Sequence, residues 1–305
     1  MPAAVPPEFL TVRDFLRHAV SSFRKAKLVH GHGTTSALDE AAFLILETLH
    51  LPVGDINPWL DARLTAQERK ALDNIICKRV KTRMPAAYLT GRIYMHGVPF
   101  YVDDRVIVPR SYIGELLFSD IFSNLIEAPQ NIASLLDLCT GSGCLAILAA
   151  GIFRNAKIDA ADLSKDALAV ARINLRDHDL ESRIKLLPGD LFTSVEGRTY
   201  DLIITNPPYV ANAEVTAFPS EYAHEPAMAH VGGQDGLDIV RRILAEAAGH
   251  LNPGGGLLCE VGEGRDILVA EYPHLDFLWL DTEESEGEVF WLTREQLISS
   301  LHHQP

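Results

Sequence analysis

The sequence predicts an α/β protein with a mostly parallel, doubly wound sheet and a small helical domain ahead of it. From about residue 111, short runs of β-favouring apolar residues alternate with helical segments, which is the pattern of βαβ units. A glycine-rich loop, Gly141-Ser142-Gly143, directly follows the first of these runs. The segment before residue 85 has helical periodicity instead.

The chain has 305 residues, which is more than one hydrophobic core usually serves, so we expect two domains. Residues 1–84 form the predicted helical domain, in which Thr11–Asp14 and Thr65–Glu68 have the spacing of capping boxes. Residues 85–110 alternate in hydrophobicity around a glycine-containing turn, which predicts a linking β-hairpin. Residues 111–305 form the predicted α/β domain.

Five parallel strands are predicted in the α/β domain, with helices between them. They cover residues 134–139, 157–162, 184–188, 200–205 and 256–261. Near the C-terminus, two β-rich runs flank a charged turn in residues 277–293, "FLWLDTEESEGEVFWLT". This pattern predicts a hairpin that adds antiparallel strands to the edge of the sheet.

The net charge of −14 repels a phosphate backbone and favours a basic partner, which argues against a nucleic-acid substrate. No uncharged apolar run approaches the roughly 18 residues of a membrane helix, so no membrane association is expected. The four cysteines show no metal-ligand spacing; they are Cys77, Cys139, Cys144 and Cys259. We therefore expect reduced thiols in a cytoplasmic protein, and no metal site.

The loop after the first parallel strand matches a cofactor-binding pattern. Residues Gly141–Ala146 read G-x-G-x-x-A, and an acid, Asp162, follows about 20 residues later. The loop is not a P-loop, because no Lys-Ser/Thr pair follows it. By itself the pattern does not separate a nicotinamide dinucleotide from another cofactor that contains adenosine.

Three acids at successive strand ends separate these cofactors. Asp137 precedes the loop, where a pyrophosphate would disfavour a carboxylate and a ligand with ammonium and sulfonium groups would favour one. Asp162 is placed to accept from two ribose hydroxyls, and Asp190 to accept from an adenine amino group. One such acid alone would more often cap a helix or a turn. Together the acids predict S-adenosylmethionine.

The fourth strand ends in Asn206-Pro207-Pro208-Tyr209. A planar amide or aromatic amine is a poor nucleophile, and two acceptors on its N–H bonds would orient it for methyl transfer. We expect the Asn206 side-chain oxygen and the Pro207 carbonyl to be these acceptors, with Tyr209 stacked on the acceptor group. No general base is required before the transfer. The alternative is a rigid Pro-Pro turn that Asn206 merely caps.

These motifs, in this order, resemble the protein N(5)-glutamine methyltransferases: "DLCTGSG", "DLS", "GDLF" and "TNPPYV". The resemblance extends from about residue 80 to the C-terminus. It implies a Rossmann-like class I methyltransferase domain that follows a helical substrate-recognition domain. It also implies S-adenosylmethionine as cofactor and a glutamine side-chain amide of a translation protein as acceptor.

Site residues follow from the strand-end acids and from position within the resemblance. The cofactor is expected to contact Asp137, Cys139, Thr140, Gly141, Ser142, Gly143, Asp162, Asp190, Leu191 and Asn206. The substrate amide is expected to contact Asn206, Pro207, Pro208 and Tyr209, of which Asn206, Pro207 and Tyr209 are expected to be catalytic.

Two stretches, residues 102–116 and 219–237, resemble the branch of the family that acts on large-subunit ribosomal protein L-three. Tyr112 departs from the proline expected after Arg110-Ser111, whereas Leu191 replaces a tryptophan frequent in release-factor enzymes and supports this branch. We therefore expect L-three as the protein substrate. Residues 221–226, "EYAHEP", are either an ordinary surface loop or a contact with that substrate.

Other functions fit the sequence less well. Methylation of peptide release factors and amino-methylation of adenine in nucleic acid are the alternatives among methyltransferases. A nicotinamide-dependent oxidoreductase is disfavoured by Asp137 and by the Asn206–Tyr209 strand end. A binding module without catalysis is disfavoured by the intact set of motifs.

Overall fold

The chain divides into two compact units in this computed structural model, which describes residues 8–126 and 128–301. The first unit contains the residues up to Ile93, Val102–Asp104 and Phe218–His224. The second unit contains Tyr94–Tyr101, Arg105–Ala217 and the residues from Glu225 onward. The domain limits predicted at residues 84 and 110 stay a prediction beside this division by contacts.

The first unit is helical. Its helices are α1 (Val12–Lys25), α2 (Ala37–Thr48), α3 (Ala66–Thr82) and α4 (Ala86–Thr90). Both predicted capping boxes are confirmed. The side chains of Thr11 and Thr65 each accept a hydrogen bond from the N3 backbone N–H, and the N3 carboxylate in turn accepts from the N-cap backbone N–H. An ion pair between Glu40 and Arg79, with Nε 2.7 Å from Oε1, is buried in this unit.

The predicted hairpin forms as a two-stranded sheet of β1 (Arg92–Met95) and β2 (Val98–Tyr101). His96 and Gly97 both have positive φ at its turn, at 49° and 79°. Such a pair of left-handed residues suits the twist of a two-residue hairpin loop.

The second unit contains a seven-stranded sheet of order β5-β4-β3-β6-β7-β9-β8. Its strands are β3 (Ser134–Leu138), β4 (Lys157–Asp162), β5 (Ile184–Pro188), β6 (Tyr200–Thr205), β7 (Leu251–Glu260), β8 (Leu278–Leu280) and β9 (Val289–Thr293). Strands β3 to β7 are parallel to one another, and β9 is antiparallel to β7 and β8. The fold class predicted from the sequence is therefore confirmed, including the C-terminal antiparallel hairpin.

The second unit also contains helices, several of which pack on the sheet. They are α5 (Tyr112–Phe118), α6 (Phe122–Leu125), α7 (Cys144–Ile152), α8 (Lys165–Asp177), α9 (Asn212–Thr216), α10 (Asp238–Glu246), α11 (Arg265–Glu271) and α12 (Arg294–Leu301). Apolar residues of the strands are fully buried beneath them, for example Leu136, Ile203 and Leu257. Within the described ranges, no helix has both the length and the apolar character that crossing a membrane requires.

The strand order reverses direction beside β3, because β4 and β5 lie on one side of it and β6 on the other. In open α/β sheets this switch point leaves a crevice outside the carboxyl ends of the strands. The loops that follow β3 and β6 border this crevice. The fold thus brings the glycine loop and the Asn206–Tyr209 segment to one place.

Candidate active site

A cavity of about 380 Å³ lies at the carboxyl edge of the sheet in the second unit. Eleven predicted site residues line it: Cys139, Thr140, Gly141, Ser142, Asp162, Asp190, Leu191, Asn206, Pro207, Pro208 and Tyr209. Two predicted residues, Asp137 and Gly143, do not line it. The segments at the carboxyl ends of four different strands therefore surround one cavity.

The glycine loop is held in a conformation that L-residues rarely adopt. Cys139, Gly141 and Gly143 all have positive φ, at 61°, 57° and 80°. At Gly143, a Cβ atom would lie 3.3 Å from the Ala171 Cβ and 3.3 Å from the Leu175 Cδ1. Gly143 therefore serves the close approach of α7 to α8, which explains why it lies behind the cavity wall.

Asp137 supports the glycine loop from inside. Its side chain is fully buried, and its Oδ2 accepts from the Thr140 hydroxyl and, at 3.0 Å, from the Ala146 N–H. Burial raises the pKa of Asp137 to about 7. In the structure this carboxylate bonds with the loop and with the first turn of α7, and the direct contact with the ligand stays a prediction.

Asp162 is fixed on the cavity wall by two backbone bonds. Its Oδ2 accepts from the Gly141 N–H at 2.8 Å, and its Oδ1 accepts from the Ser164 N–H at 2.8 Å. Each carboxylate oxygen has a second lone pair, so two further donors can still bind. Burial is the largest influence on the pKa of Asp162 and raises it above the ordinary value.

Asp190 and Leu191 form the next part of the wall. The Asp190 carboxylate is half-exposed, and its Oδ2 lies 2.8 Å from the Arg242 guanidinium. Leu191 is buried and has a φ of 48°, which turns its side chain toward the cavity after the end of β5. This pair presents an anchored acceptor beside an apolar surface, as a flat heterocycle with an amino group requires.

The Asn206 amide has a defined orientation. Its Nδ2 donates to the Arg110 carbonyl oxygen at 3.1 Å, which leaves Oδ1 as the acceptor end of the side chain. The following Pro207 is buried and lacks an N–H, so its carbonyl is held by a rigid backbone. Both predicted acceptors therefore belong to one fixed turn on the cavity wall.

The two stretches that carry the resemblance to one branch of the family contact each other here. Arg110 donates to the Glu225 carboxylate through two nitrogens, at 2.8 Å and 2.9 Å. Glu225 is buried and also accepts from the Val108 N–H at 2.9 Å, and its Oε2 lies 3.0 Å from the His230 Nε2. Since Arg110 and His230 line the cavity, Glu225 supports the site.

The "EYAHEP" stretch is divided between the two units. Glu221 belongs to the first unit, where it accepts from the Val29 N–H at 2.9 Å and from Arg83 at 2.6 Å. Glu225 belongs to the second unit, where it bonds with Arg110 of the cavity wall. A contact between this stretch and the protein substrate stays a prediction.

Two buried polar residues of the site were not predicted. Asn174 on α8 donates to the Ser142 carbonyl at 2.9 Å and thereby supports the glycine loop. Glu260, at the end of β7, accepts from the Tyr209 hydroxyl at 2.9 Å. Burial raises the pKa of Glu260 to about 7. The position of Glu260, an acid at the end of an apolar run, could have indicated a site residue. The neighbouring sequence did not indicate that Tyr209 is its partner.

The cavity lacks the features of a metal site or of a thiolate nucleophile. In the part of the chain that the structure describes, no group of three or more His, Cys, Asp or Glu side chains is arranged to hold a metal ion. Cys139 lines the cavity, and burial, followed by the nearby Asp162 and Asp137, raises the pKa of its thiol. That thiol is therefore neutral.

Comparison with known proteins extends over nearly the whole chain. The family model of the methyltransferase small domain matches residues 118–221. A ribosomal protein uL3 glutamine methyltransferase of Bradyrhizobium diazoefficiens is 54% identical over 95% of this chain and 92% of its own. Proteins of the same name from Burkholderia pseudomallei and Neisseria meningitidis are 50% and 52% identical, over 96% and 95% of this chain and 97% and 95% of theirs.

Proposed function

Because the chain belongs to the ribosomal protein uL3 glutamine methyltransferases, we propose that it methylates the side-chain amide nitrogen of a glutamine in uL3 with S-adenosylmethionine. The observation that supports this most is that Asp162, Asp190 and the Asn206–Tyr209 turn line one cavity. One side of the cavity suits an adenosine, and the other presents two fixed carbonyl acceptors.

The residues present fit S-adenosylmethionine. A cavity of about 380 Å³ lies within the range of roughly 300–1,000 Å³ that small-molecule sites usually occupy. Asp162 would accept from the ribose hydroxyls, and Asp190 and Leu191 would hold the adenine. The cofactor supplies an electrophilic methyl group on a positively charged sulfur. Asp137 would act indirectly, through the loop that it supports.

Asn206 and Pro207 would orient the substrate amide. Its two N–H bonds would donate to the Asn206 Oδ1 and the Pro207 carbonyl, so that the nitrogen faces the methyl group. As the nitrogen gains the methyl group, positive charge develops on it, and these two oxygens stabilise that charge. The nitrogen then releases one proton to water. Tyr209 would cover one face of the flat amide.

Charge and family favour uL3 over the alternatives. Ribosomal proteins are generally basic because they neutralise RNA, so a chain with a net charge of −14 attracts such a partner. The names of the relatives favour uL3 over a release factor or a nucleic acid. We propose further that the first unit recognises uL3, and that the reaction takes place in the cytoplasm, where the four free cysteines stay reduced.

The test uses uL3 produced without methylation. It is incubated with the chain and isotopically labelled S-adenosylmethionine, and the label is located by peptide mass spectrometry. One labelled methyl group on the side chain of a glutamine supports the proposal. Label on another residue type, or none at all, contradicts it. The Asn206→Ala variant is the matched control for contaminating methyltransferases.

A further inference from the structure

Glu260 connects two segments that border the cavity. Its Oε1 accepts from the Tyr209 hydroxyl at 2.9 Å. Its Oε2 accepts from the Ser111 hydroxyl at 2.6 Å and from the Tyr112 N–H at 3.0 Å. The carboxylate is 1% exposed, so all three bonds lie away from water. A buried carboxylate with three donors is a rigid connection.

The other side of Tyr209 is fixed by backbone. A Cβ atom on Gly262, which has a φ of 51°, would lie 2.8 Å from the Tyr209 Cε2, so the aromatic ring packs directly on this glycine. The ring therefore has a flat support at Gly262 and a hydrogen bond at its hydroxyl. These two contacts restrain its tilt and its depth in the cavity.

We propose that Glu260 is a positioning residue for methyl transfer, which sets the Tyr209 ring against the substrate amide and joins it to the Ser111–Tyr112 segment. This inference rests on the proposed function, because it assigns the ring the substrate amide as its partner. Glu260 itself does not line the cavity. It acts through Tyr209 and takes no part in proton transfer.

The Tyr112 N–H offers a selective way to weaken this connection. Ser111 is the N-cap of α5, with φ of −167° and ψ of 134°, and Tyr112 is the first helical residue. Proline is well tolerated at that helical position, and an extended residue before it is compatible with proline. Tyr112→Pro therefore removes one donor from Glu260 with little disturbance to the helix. Tyr112→Ala removes the same side chain and keeps the N–H.

The experiment is a double-mutant cycle of Glu260→Gln and Tyr209→Phe, read as the single-turnover rate of uL3 methylation at saturating cofactor. Each single variant should be slower by about tenfold, and the double variant no slower than the slower single one, since both changes remove one interaction. Cofactor affinity measured by calorimetry should stay within about twofold of wild type. Additive losses, or a normal rate in Glu260→Gln, would overturn the proposal.

Two further measurements cover the remaining outcomes. Tyr112→Pro should be slower than Tyr112→Ala by about two- to fivefold even if Glu260→Gln does not fold, and equal rates would overturn the proposal. Glu181→Gln, the same change on an exposed residue before β5, is the control that should match wild type.

Hydrogen exchange of residues 206–212 should be faster in Glu260→Gln, and unchanged exchange overturns the proposal. This last readout does not require turnover, so a failure of the proposed function is recognised separately, as absence of uL3 methylation by the wild-type chain.

Discussion

Arg110 and Glu225, which are 115 residues apart in the sequence, form a bidentate ion pair with N–O distances of 2.8 Å and 2.9 Å. The carbonyl of the same arginine accepts from the Asn206 side chain. The orientation of Asn206 therefore depends on the backbone of a segment that Glu225 holds in place. This relationship connects the resemblance in two distant stretches to the position of the acceptor oxygen.

Arg110→Lys tests that connection. A lysine ammonium cannot make two parallel bonds with a carboxylate, so the segment should lose part of its restraint and Asn206 its fixed orientation. We expect kcat/KM for uL3 to fall by about 10- to 100-fold, because small misplacements near the reacting atoms are costly. Steady-state methylation assays measure this, with thermal unfolding as the control for stability. Wild-type kinetics in this variant would show that the pair does not influence the site.

Asp162→Ala tests the cofactor side of the cavity. The substitution removes a charged acceptor for two hydroxyls and releases the Gly141 N–H. The affinity for S-adenosylmethionine should decrease by about 2–4 kcal/mol, which reflects the strength of hydrogen bonds to charged groups. Calorimetric titration of the folded variant measures it. Unchanged affinity would remove Asp162 from the cofactor site.

Asn206→Ala tests the substrate side. The variant loses the Oδ1 acceptor and keeps the acids on the opposite wall, so cofactor binding should largely persist. The single-turnover rate should fall by about a hundredfold or more, in line with the loss of a donor or acceptor that stabilises developing charge. Rapid-quench measurements at saturating cofactor distinguish this from weaker binding. Near-normal transfer would mean that another group orients the amide.

The raised pKa of Asp137 predicts a dependence of stability on pH. Because its pKa is about 7 in the folded chain and near its ordinary value of 3.8 when unfolded, the folded state binds the proton more tightly. This contribution to stability is fully present below about pH 4 and is lost as the pH rises through about 7. Glu260, whose pKa burial also raises to about 7, loses its contribution over a similar range.

The measurement is denaturant unfolding between pH 4 and 7.5. In Asp137→Asn, the decrease in unfolding free energy over this range should be smaller than in wild type by about 2–4 kcal/mol, since the amide does not titrate. The decrease should not vanish, because Glu260 remains. Parallel curves for the two proteins would indicate that Asp137 titrates alike in the folded and unfolded states.

Local sequence patterns predicted the strands, whereas the details of the site depend on hydrogen bonds between residues that are far apart in the sequence. Strands β3 to β6 were predicted to within one residue because each is a compact apolar run with clear boundaries. Strand β7 begins earlier than predicted, at Leu251, because the register between Leu251 and Gly256 shifts where the sequence suggested a turn. Prolines and glycines mark both a turn and a bulged strand, so composition alone did not separate them.

The roles of the buried acids could not be predicted in the same way. Glu260 bonds with Ser111 across 149 positions, and Glu225 with Arg110 across 115. No periodicity encodes such partners, which depend on how β7 and the neighbouring loops pack. For Asp137 the position at the strand end was visible, but its bonds to Thr140 and Ala146 depend on the turn that the loop adopts.

Methylation of a glutamine of uL3 by this chain is tested most directly by a side-by-side comparison of substrates. Purified uL3 and a peptide release factor, both produced without methylation, are offered at equal concentration with labelled S-adenosylmethionine. We expect the label on a glutamine of uL3, with kcat/KM at least about tenfold higher than for the release factor. Equal or faster labelling of the release factor, or labelling of neither protein, would contradict the claim.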